Sequence, residues 1–251
     1  MARISGVAVR VAAGVFALTW LVYPGFGLID LSVTWDPFWA VALEAGWGLL
    51  FTVFVAAPFV WVAVRPRRAA PAVVQLLVTA AALAVSAVAS LEWPLLLVAL
   101  AVAVEALLVA FVPGREPLAA GGFGLDRPSA ALAVAAAPWL AYANAMYAAN
   151  RREQPVDVSI GIDHYAVQGA LALGLVLLSA TAAVWPRGRR FIGICAAVAA
   201  GYLGLVCFAW PGTTAGLPAV WAALGLAWGV VFAAVAVLRG APSRTPRPAS
   251  V

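Results

Sequence analysis

Eight mainly apolar stretches dominate this 251-residue chain, each near the roughly 20 residues an α-helix needs to cross bilayer hydrocarbon. They lie near Val9–Leu28, Phe38–Val64, Ala72–Ser90, Pro94–Val112, Ala130–Ala149, Ala166–Trp185, Phe191–Trp210 and Pro218–Leu238. With 65% hydrophobic and only 10% charged residues, the chain falls far outside the soluble class, where roughly 25% of residues are charged. The pattern predicts an all-α integral membrane protein with eight transmembrane helices. Arg3 and Arg10 flank the first run as in a secretion signal, but no small-residue cleavage site follows, so the run is read as a helix.

Orientation follows from arginine, because short cytoplasmic loops carry the positive excess. If the helices alternate, Arg3 and Arg10, Arg65, Arg67 and Arg68, Arg115 and Arg127, Arg187, Arg189 and Arg190, and Arg239, Arg244 and Arg247 all fall on one side. Only Arg151 and Arg152 fall on the other. Both termini are therefore expected in the cytoplasm. The absence of lysine and the abundance of alanine suggest a GC-rich bacterial genome, hence a multi-pass protein of the inner (plasma) membrane. The net charge of +5 is spread over loops and does not suggest a nucleic-acid partner.

Two outer loops resemble each other. Ile29-Asp30-Leu31-Ser32-Val33-Thr34-Trp35-Asp36 aligns without gaps on Val156-Asp157-Val158-Ser159-Ile160-Gly161-Ile162-Asp163, sharing Asp, Ser and a second Asp. Ala40-Val41 and Gly48-Leu49 then match Ala166-Val167 and Gly174-Leu175, and Arg65-Pro66-Arg67-Arg68 resembles Arg187-Gly188-Arg189-Arg190. The shared order predicts a parallel 4+4 duplication about an axis along the membrane normal. Residues 1–114 form the first repeat, 115–129 a cytoplasmic linker, 130–239 the second repeat and 240–251 a disordered cytoplasmic tail. A competing match, Trp47-Gly48 with Trp228-Gly229, is read as likeness between two Trp/Gly-rich helices.

The duplication gathers Asp30, Asp36, Asp157 and Asp163 around that axis, with His164 beside them. Three readings stand: helix caps, favoured by Asp36 before Pro37 and by Asp163 at the start of the sixth run; a solute or proton site; or a divalent-metal site built on Asp163 and His164. Gln168, one turn after His164, and Asn144 and Arg151 on the fifth run extend this into an outer vestibule, or else serve interhelical hydrogen bonding. Arg151 has a second reading as a cap on the carbonyl end of its own helix, paired with Glu153 or Asp157. Glu44 and Glu105 lie within the apolar runs, Glu44 roughly 12 Å beyond Asp36, where carboxylates are costly and default to function. The bland alternatives are neutral carboxyls and, for Glu105, a cluster with Gln75 and Arg10. Gly225 and Gly229 form a small-residue contact motif.

Several chemistries are excluded. Without lysine, no retinal or pyridoxal Schiff base can form. A lone histidine excludes a bis-histidine haem within one chain. Cys195 and Cys207, about 18 Å apart on one helix, cannot pair and read as apolar core residues. No nucleotide-binding or zincin motif appears. Three functions remain: a small-solute or ion transporter or receptor with an outer vestibule, a membrane enzyme using Asp163 and His164, or a packing subunit of a membrane complex or homo-oligomer. The first is the leading expectation.

Overall fold

The computed structural model describes residues 2–111, 122–152 and 155–239, with side chains from residue 6 onward. Arg115, Glu153, Arg244, Arg247, residues 115–121 of the expected linker and the expected tail lie outside the described residues, as does the side chain of Arg3. The described chain is almost wholly helical: α1 (Ala2–Leu21), α2 (Gly27–Val33), α3 (Val41–Leu49), a π-helical stretch (Leu50–Ala56), α4 (Ala57–Val64), α5 (Ala70–Ser90) and α6 (Pro94–Ala110). Then come α7 (Arg127–Ala135), α8 (Pro138–Arg152), a hairpin of β1 (Val158–Ser159) and β2 (Ile162–Asp163), α9 (His164–Val184), α10 (Pro186–Ala209) and α11 (Ala219–Arg239).

Among the described residues, six helical segments are long and apolar enough to cross a membrane: Val41–Val64, Ala70–Ser90, Arg127–Arg152, His164–Val184, Pro186–Ala209 and Ala219–Arg239. Gly6–Leu21 and Pro94–Ala110 are shorter apolar helices beside them. Large apolar side chains such as Leu97, Leu100, Val230 and Leu238 stand exposed, as expected of surfaces that meet lipid. The chain is a polytopic membrane protein.

Two expected boundaries move. The first helix stops at Leu21 instead of reaching Leu28, because the following Pro24-Gly25 segment cannot continue it and Phe26 takes a left-handed conformation before α2. The second starts at Val41, which puts Glu44 in its first turn and not deep in the span. The expected fifth helix is broken at Ala136-Ala137, just before Pro138.

Helix α9 lies at the centre, against α3, α5, α7, α8 and α10. Helix α1 packs on α4 and the π-helical stretch as α8 packs on α9, and α5 pairs with α6 as α10 pairs with α11. Helix α5 also lies on α9 while α10 lies on α3. The π-helical stretch misaligns its own carbonyls, and the fully buried Gln75 of α5 donates its amide to those of Val53 (3.0 Å) and Phe54 (3.4 Å). Gly229 touches α10 so closely that a Cβ there would lie 2.7 Å from the Ala197 carbonyl oxygen, while Gly225 faces Trp139. Cys195 and Cys207 are free and buried on α10.

The bundle has two unlike ends. At one, Arg10 donates to the Ala63 carbonyl (3.2 Å), Trp61 to that of Arg68 (2.8 Å), and Arg189 to that of Ala182 (3.0 Å). Arg189 also lies 3.9 Å from Asp126. Burial opposes it, but the Ser129 donors and Arg189 hold the Asp126 carboxyl below its ordinary range. The other end carries α2, the β-hairpin and the start of α9, and is called the hairpin end below.

Candidate metal centre

The hairpin is set by its turn. Val158 pairs with Asp163 and Ser159 with Ile162, leaving Ile160 and Gly161 as the two turn residues, at φ +49° and +77°. Two successive left-handed residues are what a two-residue hairpin of matching twist requires, and Gly161 supplies one without steric cost. Closing the hairpin lets the His164 N–H donate to the Asp157 carbonyl (3.1 Å). The first residue of α9 is thereby tied to the residue that enters the hairpin.

Glu44, Asp157 and His164 converge here, each offering a ligand atom within 4.8 Å of the others. Glu44 comes from the first turn of α3, where the helix dipole favours an anion. Its carboxyl is hydrogen-bonded to that of Asp157, and Asp30 of α2 stands close enough to act electrostatically on both. Asp30, Glu44 and His164 are buried, and Asp157 is half-buried. Burial first, and then the charge of Asp157, raises the Asp30 carboxyl to about 7.

Two buried atoms of this group have no hydrogen-bond partner: Asp30 Oδ2 and His164 Nδ1. His164 Nε2 lies 3.0 Å from the Ser159 hydroxyl. The tautomer that donates Nε2–H to Ser159 leaves a free lone pair on Nδ1, the arrangement by which neighbours orient a ligating histidine. The imidazole stacks on the Trp47 indole, with centroids 4.4 Å apart, and Trp47 is pinned by donating to the Gly25 carbonyl (2.8 Å). No arginine among the described residues pairs with Asp30, Glu44 or Asp157. Two like charges about 5 Å apart repel by roughly 3 kcal/mol even at an effective dielectric of 20, so this cluster needs protons or a cation.

The remaining candidate residues lie in several places. Asp163 caps α9, its Oδ1 accepting from the Tyr165 N–H (2.9 Å). Asp36 is exposed and accepts from the Phe38 N–H (3.0 Å) in a local turn. Gln168, one turn deeper than His164, donates to the Tyr142 hydroxyl (2.7 Å), which in turn donates to the Ala215 carbonyl. The Gln168 Oε1 presses on Gly46, where no Cβ would fit. Asn144 lies on the exposed face of α8. Arg151 donates to the Ala89 carbonyl at the end of α5, not to its own helix, and Asn150 donates beside it to the Ser90 carbonyl and to Glu92 (both 3.3 Å). Glu105 is half-buried and accepts from the Trp20 indole (2.6 Å), so neither Gln75 nor Arg10 is its partner.

Trp47 and Tyr142 were not singled out as site residues. Trp47 follows Glu44 by one helical turn, which was a readable signal; Tyr142 carried none. Beyond the centre, α3 and α9 continue with Trp47, Phe51, Phe54, Leu171 and Leu175, all fully buried and apolar apart from the indole N–H. No protein-family model, curated protein or solved structure matches the chain.

Proposed function

We propose that this polytopic membrane protein is a metal-dependent membrane enzyme, with Glu44, Asp157 and His164 holding a divalent cation and Asp30 completing its surroundings. The observation that carries the reading is the pair of buried, unpartnered atoms, Asp30 Oδ2 and His164 Nδ1, within a carboxylate cluster that no arginine offsets. Groups whose only role was packing would be satisfied or replaced by apolar residues, since an unsatisfied buried polar group costs about 1–3 kcal/mol. One imidazole among carboxylates suits zinc or manganese. Such an ion supplies Lewis acidity and an activated water at neutral pH.

A cation transporter or receptor is the second reading. In its favour, the cluster joins residues from both halves of the chain, where repeat-built transporters place their sites. Against it stands the buried apolar layer beyond Gln168, formed by Phe51, Phe54, Leu171 and Leu175.

The same reading takes the arginine-bearing end as cytoplasmic, both termini inside, the centre on the outer face of the plasma membrane, and eight crossings in a parallel 4+4 arrangement. The arginine asymmetry supports the orientation. The duplication is supported by the recurring neighbours: α1 with α4 as α8 with α9, α5 with α6 as α10 with α11, and α5 with α9 as α10 with α3.

The test is direct metal analysis and thermal unfolding of detergent-purified protein with zinc and manganese, wild type beside His164→Ala and Glu44→Gln. A bound ion should raise the melting temperature in wild type and in neither variant. Absence of any metal-dependent rise in a well-folded wild type would sink the reading. Metal flux into proteoliposomes, abolished by Glu44→Gln, would instead move the transporter ahead.

A further inference from the structure

The two halves differ in how their outermost helices meet. In the first half α1 touches α6, and the Trp20 indole is hydrogen-bonded to Glu105 across that contact. In the second half α11 has no acidic residue, and its contact with α7 is made by the Trp228 indole donating to the Leu132 carbonyl (2.9 Å). There the space between the α7–α8 break and α11 is an apolar groove of about 840 Å³, walled by Leu132, Trp139, Tyr142, Trp221, Leu224 and Trp228. It runs along α11 from Pro218 to Val231, about 20 Å at 1.5 Å per residue, somewhat more than one leaflet of a hydrocarbon core about 30 Å thick.

The groove begins at the hairpin end and adjoins the metal centre through one polar connection. Tyr142 lines it, the Tyr142 hydroxyl accepts from Gln168, and Gln168 lies one helical turn from His164. An apolar channel whose upper wall is hydrogen-bonded to the residue beneath a polar centre suits a molecule with a hydrocarbon tail and a polar head. Charge complementarity selects the head. Asp30, Glu44, Asp157 and Asp163 gather there, so even with a divalent cation bound the surroundings repel a net negative headgroup.

We propose that the groove holds one acyl chain of a membrane lipid without net negative charge, and that this lipid is the substrate class of the centre. The assignment rests on the metal-centre reading. It makes Tyr142 and Gln168 positioning residues between tail and head.

The test uses the full-length protein in phosphatidylcholine nanodiscs containing a phosphatidylcholine with a photoreactive acyl chain, with labelled peptides mapped by mass spectrometry. Labelling should concentrate on the Trp139–Tyr142 and Trp221–Trp228 segments. Leu224→Trp and Ala227→Trp, at two exposed wall positions, should each reduce it about tenfold by filling the groove. Unlabelled phosphatidylcholine should compete and phosphatidylglycerol should not. Uniform labelling of lipid-facing positions such as Leu97, Leu100 and Val230, or labelling unchanged in both filled variants, would overturn the proposal. So would protein–protein cross-links through the same segments, which would make the groove a contact between two copies.

Metal affinity measured in the same samples separates the two failures. The groove-filled variants should keep it, showing that they are folded. Labelling confined to the groove in a wild type that binds no metal would overturn the substrate assignment together with the centre.

Discussion

Ile29–Asp36 and Val156–Asp163 align residue for residue on Asp, Ser and a second Asp, yet the first is coiled largely into α2 while the second folds as a hairpin. One position accounts for much of the difference. Gly161 takes φ +77° in the hairpin turn, and its counterpart Thr34 stays right-handed, its hydroxyl donating to the Asp30 carbonyl one turn back (2.9 Å). Both loops deliver their first aspartate to the centre. The second aspartates diverge: Asp36 is exposed in a local turn, whereas Asp163 is buried as the cap that starts α9 at His164. The same Asp-Ser-Asp pattern is thus carried largely by a helix in one loop and by a hairpin in the other, and His164 follows only the second, where the first has Pro37.

The largest effect should follow from making the second loop like the first. Gly161→Thr places a β-branched residue in the left-handed region, where even an ordinary side chain costs about 1–2 kcal/mol. The hairpin should open, Asp157 should leave His164, and zinc or manganese affinity should fall by about 100-fold, as read by competition with a fluorescent chelator. Affinity within twofold of wild type would show that the hairpin does not build the centre.

Next in size is a contrast between the first loop's own aspartates. Asp30→Asn removes a buried carboxylate beside the cluster and should weaken metal binding about tenfold. Asp36→Asn, at an exposed turn, should leave affinity unchanged and the melting temperature within about a degree. Equal effects from the two would mean that the aspartates act through general electrostatics and not through one site. The serines offer a parallel pair. Ser159 orients His164 and its loss should weaken binding up to about tenfold, while Ser32, which donates to the Ile29 carbonyl on the protein surface, should be silent.

How much of this was readable beforehand divides along the same lines. The apolar runs were legible, because lipid demands long self-satisfied helices, and six of them are such helices among the described residues. Pro24-Gly25 and Pro138 were read through as parts of continuous helices, because apolar length outweighed the local breaker signal, and the short α2 was missed with them. Asp30, Asp157 and His164 were candidates because the duplication pointed to them. The role of Glu44 was half visible: its cost in an apolar run flagged it, but its partners come from loops distant in sequence and only packing brings them together. Arg151 had two local readings, and its actual acceptor, the Ala89 carbonyl, belongs to another helix end that needed a donor. Tyr142 was invisible, since nothing local distinguishes it from Tyr147, the other tyrosine of α8.

The smallest expected effect concerns the other residue of the turn. Ile160 occupies φ +49°, a conformation unfavourable for a β-branched residue, and is 44% exposed, so its side chain gains little from burial. Asparagine tolerates that region because its short polar side chain can hydrogen-bond locally. Ile160→Asn should therefore stabilise the hairpin by about 1 kcal/mol, seen as a small rise in melting temperature of the metal-free protein, with metal affinity unchanged or slightly higher. The corresponding change in the first loop, Val33→Asn, replaces a half-buried apolar side chain on a right-handed helix with a polar one and should have the opposite sign. If both substitutions destabilise, the two loops share one conformational demand, and the division between helix and hairpin does not separate them.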